Sequence, residues 1–461
     1  HSADVLPTLG FARSRVLRDS LERARRGLPT LADDRLAPAS AADSLAQLVQ
    51  RRGADPAWFS SAVTIHTDED HVALGPGALV RQERRAGRST WSYRQHDAAT
   101  PAFVITSARY RVRRGGARPA AGVVPVEIWH TPEHPGPAAR LLDVTTRSLR
   151  RLIAYFGAYP HAQLRVVEVA HTIGFAAYAM PGTILLSETR GLLSDARAED
   201  VDLLLRRVGH EVAHQWWGHA VSPLPVEGRL LLVETLAKHA EQVLVAQAQG
   251  EDMVHEMLAF DEDRYLRSRT VTEPSLVAMR DEDALYYGKG ALAMHAMRHL
   301  LGDSVVQLVV RDLLVRDRGA HGTATAQQFV ADLTAHAPTE DVRTRIREWF
   351  TERVVYDAAL DSAAFAPRGR GTHVTATFQV RRHAIDRQAG RPIERVTPLD
   401  DVLVPVGLRD DQARWHVQRV WARDGVVRFD DVVPFAVRAV EFDPERIYLE
   451  LDRTNNGMTR Q

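Results

Sequence analysis

Residues 209–217 constrain this chain more than any other segment, because they place two histidines four residues apart with a glutamate after the first. The surrounding stretch, 201–217, carries apolar residues at three- and four-residue spacing, which predicts a helix. On a helix His210 and His214 face the same way and can present two imidazoles to one metal ion. Glu211 lies between them, where it can accept a proton from a water molecule at the metal. Two ordinary helix histidines are the alternative, since the chain contains 20 histidines.

A third metal ligand is expected, and the composition limits what it can be. The chain has no cysteine, which excludes thiolate ligands, disulfides and a cysteine nucleophile. A catalytic zinc ion usually takes three protein ligands and leaves the fourth position to water. Glu234 lies in the apolar stretch 230–237, where an unpaired carboxylate would be costly and a metal ligand is favourable. Glu241 follows on the same helical face, and either orients a histidine ligand or is an ordinary surface glutamate.

The pattern of the whole chain predicts a multidomain α+β protein with three regions. Residues 1–137 begin with short helical patterns and continue with strand patterns, and prolines close the region. Residues 138–366 are mainly helical in periodicity, with strand patterns inside. Residues 367–461 alternate apolar and polar residues in short segments, which predicts a β-sandwich. The predicted helices are 140–156, 201–217, 230–249 and 291–301, and the strands between them are 163–169 and 183–187.

Charge and hydropathy exclude several classes of partner. Lysine plus arginine equal aspartate plus glutamate at 59 each, so no electrostatic argument favours nucleic acid or an anionic membrane. The arginine-rich stretch from Arg13 to Arg26 contains acidic residues and is better explained as a solvated helix surface. No apolar run approaches the roughly 18 residues that a membrane-spanning helix needs. The chain begins at His1 without a signal-peptide pattern, so we expect a processed or excised product.

Several segments together resemble the gluzincin aminopeptidases, the membrane alanyl aminopeptidase family that includes leukotriene hydrolase. They are the 210–214 pattern, a glutamate on the following helix, and Tyr287 with the lysine and glycine that follow it. Residues 155–160, 214–218 and 290–303 are also similar to that family. The resemblance implies one zinc ion bound by His210, His214 and Glu234, with Glu211 as base and Tyr287 as transition-state stabiliser. It further implies a peptide substrate, a truncated N-terminal β domain and a thermolysin-like zinc domain.

The chain departs from this family in the residues expected to bind the substrate. The family's G-x-M-E-N strand uses its glutamate to grip the free amino terminus, and the corresponding stretch here is 174–182. Ala179 and Met180 are therefore the expected substrate-binding residues, and no glutamate or asparagine follows Met180. Glu188 is the nearest downstream carboxylate. The segment between His214 and Glu234 is also one residue longer than is usual, which a loop absorbs easily.

A narrower group resembles the chain over nearly its whole length: the peptidase-like domains of some bacterial ABC transporter permeases. Residues 74–80, 107–110, 210–219 and 451–455 carry this resemblance. It implies an extracytoplasmic (periplasmic) domain of a membrane protein, with the permease as a partner. The alternative to catalysis is then a catalytically impaired binding or gating module. Hydrolysis of a non-peptide substrate such as an epoxide has a family precedent, but no residue here selects for it.

Overall fold

The computed structural model of the protein describes residues 25–28, 37–52, 58–100, 102–117, 122–194, 200–319, 322–388 and 391–460. The helical patterns expected before residue 25 and the proline-containing break after Leu28 lie outside these residues, as does most of the basic stretch. Two compact units make up the chain, residues 1–254 with 307–329 and residues 255–306 with 330–461. The three-domain division expected from the sequence stays a prediction.

The first described strands of the first unit form a small antiparallel sheet. β1 (Phe59–Asp68), β3 (Ala78–Arg85) and β4 (Arg88–Ala99) pair in the order β1-β4-β3. Ala86 and Gly87 between β3 and β4 both have positive φ, which matches the right-handed twist of a tight hairpin. β2 (Val72–Leu74) and β5 (Thr106–Ala108) form a separate pair.

A five-stranded sheet is the framework of the first unit, and its order is β6-β7-β8-β10-β9. β7, β8 and β10 are parallel, whereas β6 and the edge strand β9 are antiparallel to their neighbours. The apolar runs of β8 and β10 are almost fully buried, as expected for parallel strands covered on both faces. The strands span β6 (Arg111–Ala117), β7 (Val124–His130), β8 (Leu164–Val169), β9 (Ala177–Met180) and β10 (Thr183–Ser187).

Helices occupy most of the region from 135 to 350, which confirms the expected helical middle of the chain. One helix, α1 (Ala42–Arg52), precedes this region. Within it lie α2 (Pro135–Phe156), α3 (Leu203–Ala213), α4 (Leu236–Gln249), α5 (Glu251–Ser268), α6 (Gly290–Leu301), α7 (Asp303–Asp317), α8 (Ala326–Ala335) and α9 (Glu340–Phe350). The prolines that mark the predicted boundary at residue 137 lie in the first turn of α2, a position that suits proline. α2 packs on β6, β7 and α3, so one sheet and its covering helix extend across that boundary. Among the described residues, no helix has the length and hydrophobicity that a membrane crossing requires.

The C-terminal region is a β-sheet domain, as expected, but its strands form one hydrogen-bonded sheet and not two separate ones. The predicted β-sandwich differs from this because β12 is long enough to pair with three neighbours and joins them in one network. The eight strands are β11 (Val354–Arg368), β12 (Gly371–Gln388), β13 (Arg391–Pro398), β14 (Val402–Asp410), β15 (Trp415–Arg423), β16 (Val426–Val433), β17 (Val437–Phe442) and β18 (Gly457–Thr459).

Candidate metal centre

Helix α3 is fixed at its start, so its last turn presents His210 and His214 from a rigid element. Asp202 caps the helix, and its Oδ1 accepts the backbone N–H groups of Leu204 at 3.0 Å and Leu205 at 3.1 Å. The same carboxylate accepts a hydrogen bond from Arg140 Nη2 at 2.8 Å. The helix ends at Ala213, four residues before the predicted end at 217, and His214 is its C-terminal cap residue.

Helices α3 and α4 approach closely, and this approach brings Glu234 to the two histidines. A Cβ atom on Gly209 would lie 2.4 Å from Leu244 Cδ1, so a larger residue there would displace the Leu244 side chain. Glu234 lies in a π-helical turn, Leu231–Thr235, directly before α4. Such turns occur frequently at functional sites because they re-aim side chains along a helix.

The ligand atoms of the three predicted residues converge on one point. His210 Nε2 lies 3.1 Å from His214 Nε2 and 3.2 Å from Glu234 Oε2. His214 Nε2 lies 3.5 Å from the same Glu234 oxygen. Tetrahedral zinc with bonds of 2.0–2.1 Å separates its ligand atoms by about 3.3 Å. The three atoms are therefore spaced as three corners of a zinc coordination tetrahedron, and the residues fit that ion.

Hydrogen bonds to the far side of each ring show which nitrogen faces the centre. His210 Nδ1 donates to Glu241 Oε1 at 2.9 Å, and His214 Nδ1 donates to the Trp217 carbonyl at 3.0 Å. Since both partners can only accept, both Nδ1 atoms carry the hydrogen. The Nε2 lone pairs then point at each other and at the Glu234 carboxylate. Such a convergence of electron-rich atoms is favourable only with a cation between them.

Glu241 is buried, not at the surface, and it connects His210 to two basic side chains. Its Oε2 accepts hydrogen bonds from Arg206 Nε at 2.9 Å and from Lys238 Nζ at 3.1 Å. Burial opposes ionisation, but Lys238 and Arg206 hold the pKa of Glu241 well below its usual range. The ionised carboxylate therefore acts on His210 as a fixed acceptor, the arrangement that typically orients metal-binding histidines.

The charges around the centre favour the binding of a cation there. Burial disfavours a charged His210, yet the hydrogen bonds to Glu234 and Glu241 raise its pKa to about 10. Burial likewise opposes ionisation of Glu234, but the two imidazoles hold its pKa well below the usual range. A proton and a metal ion therefore compete for the same place.

Glu211 lies on the same helix turn but is not tied to a protein partner. Its carboxylate has no hydrogen bond with any other described residue, and the residue is 8% exposed. Burial raises the pKa of this carboxyl above its ordinary value. The group can thus bind a water molecule and accept a proton from it.

The edge strand β9 is held beside the metal helix by Gln215, a connection that sequence reasoning missed. Gln215 is fully buried, its Nε2 donates to the Met180 carbonyl at 3.1 Å, and its Oε1 accepts from Gly182 N at 2.8 Å. Ala179 and Met180 are both buried in this strand. Burial, followed by the charges of Glu211 and Glu234, raises the pKa of Tyr178, so its half-exposed ring lies within electrostatic reach of the centre.

Two further predicted residues lie elsewhere or stay untested. Tyr287 belongs to the second unit, in the π-helical turn Ala284–Lys289, where Arg264 lies 5.1 Å from the centre of its ring. Its role as transition-state stabiliser stays a prediction. Glu188 pairs with other histidines, and its Oε1 and Oε2 lie 3.8 Å from His134 Nε2 and 3.5 Å from His171 Nδ1.

The family model for the Peptidase family M1 domain matches residues 140–349, a range that contains the converging ligands and Glu211. The matched segment makes up a little under half of the chain and is similar to the M1 peptidase domain. The match agrees with the zinc metallopeptidase class and the zinc cofactor that the sequence predicts. The association with a transporter permease gains no support from it.

Solved structures with a similar fold include several zinc metallopeptidases. The M1 zinc metallopeptidase from Deinococcus radiodurans has a TM-score of 0.51 and 22% identity, and a point mutant of it has 0.51 and 21%. A two-domain M1 zinc metallopeptidase mutant bound to L-arginine has a TM-score of 0.50 at 22% identity. Each match covers 64% of this chain and 64% of the solved chain, so this chain spans less than two thirds of those proteins. No curated protein matches the chain.

Proposed function

We propose that the M1 domain is a zinc-dependent peptide hydrolase of aminopeptidase type, with His210, His214 and Glu234 as ligands and Glu211 as base. The convergence of the three ligand atoms around one point carries this proposal. Zinc bound there would acidify a water molecule and polarise the carbonyl of the substrate. The L-arginine complex of a similar M1 metallopeptidase supports an amino-acid or peptide substrate class.

Side chains of the protein carry out the proton transfers. Glu211 accepts the proton of the attacking water on its free carboxylate and then delivers it to the leaving nitrogen. Glu241 keeps the His210 ring in one tautomer and orientation throughout, because its hydrogen bond to Nδ1 is supported by two cations. The sequence resemblance assigns stabilisation of the developing oxyanion to Tyr287.

The edge strand β9 suggests how a peptide is held. β9 ends the five-stranded sheet, and β10 pairs with one of its sides. An extended peptide could add to the other side through main-chain hydrogen bonds. Ala179 and Met180 offer no charge that would bind a free amino terminus. We therefore expect peptides with blocked amino termini to be accepted as well as free ones.

The missing amine-binding carboxylate also favours a second candidate, a peptidase-like binding or gating module of an ABC transporter permease. In that case the chain would be the extracytoplasmic part of a membrane protein, as the sequence resemblance implies. The unpaired Glu211 beside a complete ligand set favours catalysis over this alternative.

Turnover by the wild type, Glu211→Gln and a matched control separates the two candidates. Glu256→Gln is the control, because it makes the same chemical change at an exposed position of α5. Loss of the base should lower kcat by about 10²- to 10⁴-fold with zinc content unchanged. Free-amine and blocked peptides are assayed in parallel. One bound zinc ion without Glu211-dependent turnover on either peptide class would favour the gating module.

A further inference from the structure

A second group of metal-ligating side chains lies at one edge of the five-stranded sheet. Because β7, β8 and β10 are parallel, their carboxyl ends meet at this edge. His134 follows β7, Glu168 lies near the end of β8, and Glu188 follows β10. His171 lies in the short turn after β8. None of these residues belongs to the centre around His210.

Glu168 fixes the ring of His134 in the way that Glu241 fixes His210. Glu168 is 4% exposed, and its Oε2 accepts the backbone N–H of Thr131 at 2.8 Å. Its Oε1 accepts the Nδ1–H of His134 at 2.7 Å. That distance is a normal charge-assisted hydrogen bond and is shorter than the roughly 3.3 Å between two ligands of one tetrahedral zinc ion. Glu168 is therefore a partner that orients His134, whose Nε2 lone pair points away from it.

The free nitrogen of His134 faces a carboxylate and not a hydrogen-bond donor. Its Nε2 lies 3.8 Å from Glu188 Oε1, and His171 Nδ1 lies 3.5 Å from Glu188 Oε2. A lone pair opposite a carboxylate oxygen is unfavourable unless a cation lies between them. Glu188 and His171 are partly exposed, at 33% and 61%, so both side chains can move the few tenths of an ångström that coordination needs.

We propose that this edge binds a second divalent transition-metal ion, with His134 Nε2, the Glu188 carboxylate and His171 Nδ1 as ligands. Imidazole and carboxylate donors without thiolate suit zinc and its neighbours in the first transition row. The ion would join the ends of three parallel strands and the start of α2. Its role is therefore structural, and we expect it to stabilise the first unit.

The competing explanation is an ion pair without metal, in which a protonated His134 contacts both glutamates. The two explanations differ in how many zinc ions the full chain binds. Zinc titration of the metal-depleted protein, followed by calorimetry and by elemental analysis after gel filtration, gives this number directly.

We expect two zinc equivalents for the wild type and one for Glu188→Gln or His134→Gln. Glu133→Gln, an exposed carboxylate next to His134, is the matched control and should keep two. Glu168→Gln should weaken the second equivalent by about 10- to 100-fold. The same number of equivalents in the wild type and in Glu188→Gln would overturn the proposal. Circular dichroism verifies that each variant is folded.

A second readout separates this site from the first. His214→Ala removes a ligand of the His210 centre and should leave one zinc equivalent, which raises the Tm of that variant. Adding Glu188→Gln should abolish the zinc-dependent rise in Tm. A rise that persists in the double variant would contradict the proposal. Neither result depends on peptide hydrolysis, so the two proposals can fail separately.

Discussion

Replacing Glu241 by glutamine tests how the metal centre is built, because this one carboxylate contacts a ligand histidine and two cations. Its oxygens accept hydrogen bonds from His210 Nδ1, Arg206 Nε and Lys238 Nζ. Glutamine has nearly the same shape but carries no charge and offers only one acceptor oxygen. The substitution therefore weakens the hold on the His210 ring and removes the negative charge that Glu241 places beside both cations.

Two separate effects follow, and their sizes can be estimated. Loss of a partner that orients a ligand histidine typically lowers metal affinity by 10- to 100-fold, or about 1.4–2.7 kcal/mol. The stability effect arises at Lys238 and Arg206, whose side chains are only 5% and 16% exposed. Removing one partner of a buried ion pair lowers the free energy of unfolding by about 3–5 kcal/mol. We expect about 3 kcal/mol here, because the glutamine oxygen still accepts one hydrogen bond.

Competition against a chelator measures zinc affinity, and urea unfolding of the zinc-free protein measures stability. The double variant Glu241→Gln with Lys238→Met removes the more deeply buried of the two cations, so it should regain part of the stability but none of the zinc affinity. Equal zinc affinity in wild type and Glu241→Gln would refute the idea that Glu241 orients His210. In that case Glu241 would contribute to the centre only by balancing the charges of Lys238 and Arg206.

Three further results are expected. Gln215→Leu removes the hydrogen bonds to the Met180 carbonyl and the Gly182 N–H, which costs about 1–3 kcal/mol of stability for each buried group. The substitution should raise KM for peptides more than it lowers zinc content, and an unchanged KM would show that the edge strand does not bind substrate. Despite burial, hydrogen bonds that His210 donates to the Glu234 and Glu241 carboxylates raise its pKa to about 10, so zinc must displace its proton and binds about tenfold more weakly for each pH unit below that value; calorimetry at pH 7 in two buffers should detect the released proton, and no release would contradict this. Removing zinc with a chelator should abolish peptide hydrolysis, and added zinc should restore it; activity that survives complete removal would exclude a zinc mechanism.

Local periodicity is enough to predict the parts of the centre that lie on one helix. His210, Glu211 and His214 follow from helical spacing, and their helix is found where the apolar pattern placed it. Glu234 could be predicted because a carboxylate in an apolar stretch needs a partner. Its approach to the histidines depends on how α3 packs against α4, a contact between parts of the chain that are distant in sequence.

Contacts between distant segments account for what the sequence left open. Whether Glu241 was a surface residue or a partner of His210 depended on how α4 packs on α3. Gln215 belongs to the stretch 214–218 that resembles the aminopeptidases, and nothing local shows that it holds the β9–β10 turn. The surroundings of Glu188 follow from the strand order β7-β8-β10, which no spacing along the chain reveals. The single C-terminal sheet likewise results from the unusual length of β12.

Anomalous diffraction at the zinc edge, from crystals of the full chain, tests the central claim most directly. We predict a strong anomalous peak within about 2.0–2.2 Å of His210 Nε2, His214 Nε2 and a Glu234 oxygen. Zinc bound by the protein without a peak among these three atoms would contradict the account.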